Sequence, residues 1–384
     1  MPLRLGWFYA RIRMNAIAPA VVCAGAVAIA LLTGCATTPV TRSAAAPVFY
    51  PPLPNPPRIQ YLTTFSSARD LAHKPGAFAE FIFGKETADT QGVKKPYGVA
   101  LHDGKIYVVD TRGPGYAIFD LVNRRFETVS GSGGGKMQKP INITVDHDGT
   151  KYVTDTGRDQ VLVYDRDNRY LRAYGVQGQF KPGDVAIAGD RLYITDLSHH
   201  AIEVLDKDSG KTLFKFGATG SKDGELYHPT NLALAGGYLY VADTGNYRIQ
   251  KYTLDGTFVR SYGQIGSGLG QFARPKGVAL DADGRMYVVD AAFENIQVFD
   301  ADGMLLLFFG EPGDRPENIN LPTKVTIDSA HVALFQRYAD PKFKLEYVIL
   351  VASQFGANKV NAFGIGKMDD MDYAITERTE REQR

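Results

Sequence analysis

The chain has 384 residues, 44% of them hydrophobic, enough for one large closed domain or two ordinary ones around a substantial core. Lys+Arg 43 against Asp+Glu 42 leaves a formal charge of +1, without the basic excess that a nucleic-acid partner requires. The two cysteines, Cys23 and Cys35, exclude a disulfide framework, a Cys-rich zinc site and Cys-x-x-Cys-His haem attachment.

In chain order, Arg4, Arg11 and Arg13 precede an apolar run from Ala16 to Leu32. A basic start before a short stretch of small apolar residues reads as a secretory signal; a permanent span needs about 20 apolar residues. The run ends in Leu32-Thr33-Gly34-Cys35, which resembles the lipobox of bacterial lipoproteins. The resemblance implies removal of residues 1–34, Cys23 included, and a diacylglycerol thioether on Cys35. An uncleaved anchor or an ordinary signal with an incidental Cys35 is the alternative. Two or three acyl chains hold a protein stably to a bilayer, where one does so only marginally. Ala36 in place of Asp implies, in a Gram-negative cell, the outer membrane, facing either the periplasm or the cell surface. Residues 35–57, rich in Pro, Ala, Thr and Ser, read as a tether, because proline favours extended backbone without a donor.

From there the chain repeats. Pro96, Pro140, Pro182, Pro229, Pro275 and Pro322 recur 42 to 47 residues apart. Five units then carry an aromatic–apolar–x–Asp signature: Tyr107 to Asp110, Tyr152 to Asp155, Tyr193 to Asp196, Tyr240 to Asp243 and Tyr287 to Asp290. A third apolar run and a fourth ending in glycine complete each unit, so each predicts four short strands divided by turns. One such sheet cannot bury both of its faces alone, and stacking six around a ring does so while leaving only short edges. The expected fold is all-β, a six-bladed β-propeller with blades starting near residues 96, 140, 182, 229, 275 and 322. Asp110, Asp155, Asp196, Asp243 and Asp290 are expected as structural turn residues whose carboxylates bond local backbone amides.

The sixth unit supplies three strands only, and Arg58 to Phe65, upstream of the first unit, supplies the missing outer one. The propeller is therefore expected over 58–366, with 58–66 as the closing strand and 367–384 as a disordered charged tail. Gly268-x-Gly-Gln-Phe-x-x-Pro275, Gly277-Val-Ala-Leu280, Tyr287-Val-Val-Asp290 and Ile296-Gln-Val-Phe299 resemble the NHL repeat, and Asp243 to Gln250 is a second close copy. The resemblance covers about residues 58–366, with five units in register and Ser353 where the sixth Asp is expected. The only tryptophan, Trp7, lies in the signal, which disfavours tryptophan-based propellers.

Two inserts interrupt the pattern. Residues 67–95 carry Ala77, Phe78, Phe81 and Ile82 at helical spacing, and Ala330 to Ala339 predicts a second short helix before Pro341.

Some NHL propellers are lyases, and the resemblance implies zinc histidines directly after the opening proline. Those positions hold Tyr97, Ile141, Gly183, Thr230, Lys276 and Thr323. The next residue of each unit points to the channel: Gly98, Asn142, Asp184, Asn231, Gly277 and Lys324. Asn142, Asp184 and Asn231 offer oxygens, but calcium takes six to eight and prefers several carboxylates, so one carboxylate facing Lys324 suits it poorly. A hydrogen-bonded, water-filled channel is expected there instead, with no metal and no cofactor. His199-His200 reads as a solvent-facing turn, and the other histidines, His228 among them, show no ligand spacing. The glycine run Gly131 to Lys136 lacks the spacing of a phosphate loop. These readings converge on a lipid-anchored envelope binding or scaffold protein without catalysis, its partner an envelope protein or glycan. The alternative is a metal-dependent lyase or hydrolase with its site in the channel.

Overall fold

The computed structural model describes residues 46–71, 91–113 and 115–373. The chain divides into two compact units, Met1–Ala46 and Pro47–Arg384, and only Ala46 of the first is described. The expected signal, Cys35, the start of the tether and the helix around Phe78–Ile82 thus lie outside the described residues.

The second unit is an all-β propeller of six antiparallel sheets. Blade 1 runs Pro96–His102, Lys105–Asp110, Tyr116–Asp120 and Arg125–Val129. The innermost strands of blades 2 to 6 begin at Pro140, Pro182, Pro229, Pro275 and Pro322. Proline suits this place because a strand's first residue needs no ladder donor. Blades 1 to 5 have four strands in sequential order.

The core is divided among the seams between blades. Each of six large apolar clusters joins two neighbouring sheets; between blades 1 and 2, for example, Val109 and Ile118 meet Ile143, Val153 and Leu162. Each such side chain contributes about 1.5–3 kcal/mol when fully buried.

Blade 6 joins the two ends of the compact unit. Pro322–Asp328, Phe343–Ser353 and Val360–Met368 are completed by Ile59–Phe65, which pairs Phe65 with Val360 and Ile59 with Ile365. The fold then extends past its expected limits on both sides. Phe49–Tyr50, expected in the tether, forms a fifth strand against Ile59–Gln60, with the Phe49 ring 5.6 Å from Phe343. Two large rings suffice to dock a stretch whose average composition is that of a linker. At the other end, Lys367 and Met368 lie in a strand, not in a disordered tail, and Tyr373 is buried. The Tyr373 hydroxyl accepts from the Met368 amide and donates to the Pro57 carbonyl, both at 2.8 Å.

The second insert forms a short helix, Val332–Phe335, continued by a tighter turn, Gln336–Tyr338. Its Phe335 is fully buried, 6.3 Å from the Phe65 ring. Among the described residues no helix is long and apolar enough to cross a membrane.

Candidate functional site: the channel and its loop face

Each innermost strand has an irregular register against its neighbour within the first residues after the proline, for example between Pro140 and Asn142 and between Pro322 and Lys324. Such a bulge leaves an amide unpaired and re-aims side chains. Threonine hydroxyls take up the freed amides: Asn142 N–H donates to Thr154 Oγ1 at 3.0 Å and Asp184 N–H to Thr195 Oγ1 at 2.7 Å. The residue two after the proline is thereby aimed into the channel.

There the polar candidates bond directly across the ring. Asn142 Nδ2 donates to Asn231 Oδ1 at 2.8 Å, and Asn231 Nδ2 donates to the Lys276 carbonyl at 2.9 Å. Lys324 Nζ donates to Asp184 Oδ2, which also accepts from the Leu232 amide at 2.9 Å. Asn142, Asp184 and Asn231 are fully buried and Lys324 is 7% exposed. Burial pushes the Asp184 carboxyl above its ordinary range, and the Lys324 ammonium opposes that. Gly98 supplies no side chain because a Cβ there would meet Asn142 Cα at 2.7 Å. The centre thus carries a direct cross-ring hydrogen-bonded network.

This donor set does not fit calcium. The single carboxylate is already engaged by an ammonium, and the Asn231 oxygen faces an amide donor. Among the described residues no group of three or more His, Cys, Asp and Glu side chains is placed to hold a metal ion. Towards the face opposite the prolines the channel opens into a funnel of about 350 Å³ of mixed lining, with Leu101, Val145, Ile187, Leu234 and Ile327 beside Thr144, Asp146, Lys324 and Thr326.

On the proline side, the five signature aspartates organise the loops. Asp110 Oδ1 accepts from the Arg112 amide in its own turn at 3.0 Å and from the Lys95 amide at 2.9 Å, while Oδ2 takes the Lys94 amide at 2.7 Å. Asp155 and Asp290 repeat this, reaching 16 and 17 residues back. Asp196 takes the Lys181 amide at 3.0 Å, and Asp243 the Tyr227 amide at 2.7 Å. Each carboxylate therefore ties the turn after its strand to the loop before its proline, a longer reach than a local turn role. In blade 6 the Ser353 hydroxyl has no partner, and Glu294 of blade 5 takes the Leu321 amide at 2.7 Å instead.

Two features of this face escaped the sequence reading. The His228 amide donates to His200 Nδ1 at 3.0 Å, with the rings 4.6 Å apart and Tyr227 4.8 Å from His200. Burial, then His228, holds His200 below its ordinary pKa. His200 is thus half-buried rather than solvent-facing; His199 is the exposed member, bonded to Asp196 Oδ2 at 2.6 Å. The two lie on neighbouring blades, His200 in the turn after Asp196 and His228 in the loop before Pro229, which Asp243 holds through the Tyr227 amide. The second feature is a group of basic side chains around the channel mouth, whose positions serve in the sequence only to mark the repeat.

The architecture defines the chain as a six-bladed β-propeller. No family model matches it. Over 118 residues it is 32% identical to Protein brain tumor of Drosophila melanogaster; the match covers 29% of this chain and 11% of that protein's length. Among solved structures, a gluconolactonase from Xanthomonas campestris superposes with a TM-score of 0.55 at 17% identity, covering 85% of this chain and 99% of the other. A streptogramin B lyase gives 0.51 at 14%, covering 71% and 94%. An auxiliary nutrient binding protein from Bacteroides thetaiotaomicron gives 0.53 at 13%, covering 71% and 69%. At these identities the likeness establishes the fold alone.

Proposed function

We propose that this chain is a lipid-anchored, non-catalytic binding protein of the bacterial cell envelope, with an NHL-type propeller that captures an envelope protein or glycan on its loop face. The observation that carries the reading is the engagement of the channel's polar groups with one another. Asp184 is held by Lys324 and two backbone amides, and the Asn142 and Asn231 side chains bond each other. A reaction centre would need those oxygens for a metal or substrate. The lipobox-like Leu32 to Cys35 and the proline-rich stretch after it support attachment, and five register-matched repeat signatures support the NHL type.

Two measurements test the parts separately. Elemental analysis of the purified full chain should find no stoichiometric divalent ion; one that is present, and lost on Asp184→Asn, would establish the metal-dependent alternative. Cys35→Ala should move the protein from the membrane to the soluble envelope fraction, and unchanged partition would refute the anchor.

A further inference from the structure

The residues flanking the strand-opening prolines converge on the channel mouth. Those before the prolines are Lys95, Lys139, Lys181, His228, Arg274 and Leu321, so four of six are cations and a fifth is an imidazole. Arg274 is exposed and Lys95 half-buried. Of those after the prolines, Tyr97 and Lys276 meet each other, with the Lys276 Nζ 5.1 Å from the Tyr97 ring centre. They belong to blades 1 and 5, with blade 6 between, so their contact lies close to the ring axis.

Lys276 is half-buried, and the charges that bear on it are themselves positive. Burial, then Arg274, then Lys95 push its ammonium down to about 8. Among the described residues none of Lys95, Arg274 and Lys276 takes part in a side-chain ion pair. Asp184, beneath them, is matched by Lys324. A fold does not gain stability by gathering two further cations round a partly desolvated ammonium. Such an arrangement is complementary to negative charge supplied from outside.

We infer that the loop-face mouth of the channel is a binding site for a compact, multiply charged oxyanion, a phosphate or carboxylate group, held by Lys276 at the axis with Lys95 and Arg274 at the rim. The inference deepens the binding reading and rests on it. Lys276 supplies a central point charge, and the planar guanidinium of Arg274 supplies paired donors. The Tyr97 ring faces the Lys276 ammonium, the charges of Arg274 and Lys95 act on it, and the Lys95 ammonium itself lies 5.0 Å from the Phe355 ring centre. An arriving anion favours the protonated amine, so binding above pH 8 takes up a proton.

Calorimetric titration of chelator-treated full chain with pyrophosphate, and separately with citrate, tests this in a phosphate-free, low-salt buffer. One site is expected, for whichever of the two chemistries it prefers. Lys276→Met, which keeps the stem over Tyr97, should weaken it about tenfold, as loss of one charge-assisted contact predicts. Arg274→Met should weaken it less and flatten its salt dependence. Lys342→Met, in a pair with Asp370 elsewhere on the surface, should leave it unchanged. Unaltered binding by folded Lys276→Met, or no binding of either probe to a metal-free chain, overturns the anion site alone. Binding that appears only with an added divalent ion overturns both the site and the metal-free reading beneath it.

Discussion

Asp184→Asn should destabilise the propeller by about 3–5 kcal/mol, because it leaves the Lys324 ammonium buried without a counter-charge. The Leu232 and Val185 amides bond different oxygens of the carboxylate, so the asparagine oxygen keeps only one of them and the loss includes the other, unpaired amide beside the stranded charge. At about 2–4 °C per kcal/mol for a domain somewhat smaller than this one, the melting temperature should fall by roughly 10 °C. Adding Lys324→Met removes the stranded cation and should recover more than half of the loss, since an apolar replacement of a buried pair is often neutral. Denaturant melts of wild type and the three variants measure the coupling. A single variant that melts within a degree or two of wild type would mean the pair carries no such role.

A chain beginning at Gln91 should fail to melt cooperatively and should aggregate in size-exclusion chromatography. It lacks Phe49, Ile59, Leu62 and Phe65, which are 7%, 1%, 8% and 0% exposed. At about 1.5–3 kcal/mol each, these four approach the whole stability of a typical domain, about 5–15 kcal/mol. The truncation also bares the edge of Val360–Met368, a ready template for another chain. Phe65→Ala is the milder test, with an expected cost of about 3–5 kcal/mol, because its ring contacts Phe119, Phe335 and Tyr338. A monodisperse truncation with a single sharp transition would contradict this account of ring closure.

The propeller was legible because its information is periodic. A proline, an aromatic–Asp signature and a glycine recur at one spacing, and the strand missing from the last unit could be found by counting. The channel positions followed from the same register. What the residues did there was harder to see, since Asn142 meets Asn231 across 89 residues and Lys324 meets Asp184 across 140. Local pattern carries no term for partners that far apart. Phe49–Tyr50 and Tyr373 were hidden for a different reason, because single rings dock segments whose composition otherwise reads as linker or tail. His200 and His228 sit in the turn of one blade and the loop before the proline of the next, a neighbour relation that only the ring order reveals.

The carboxylate ties have a consequence for how such a face changes. Asp110, Asp155 and Asp290 grip main-chain amides, so the frame they set is indifferent to which side chains project from it. Residues at the tips can be exchanged like bits in a fixed chuck while the sheets below stay still. Where a loop is gripped from next door, as blade 6 is by Glu294 and blade 4 by His200, one sector's shape depends on its neighbour's sequence.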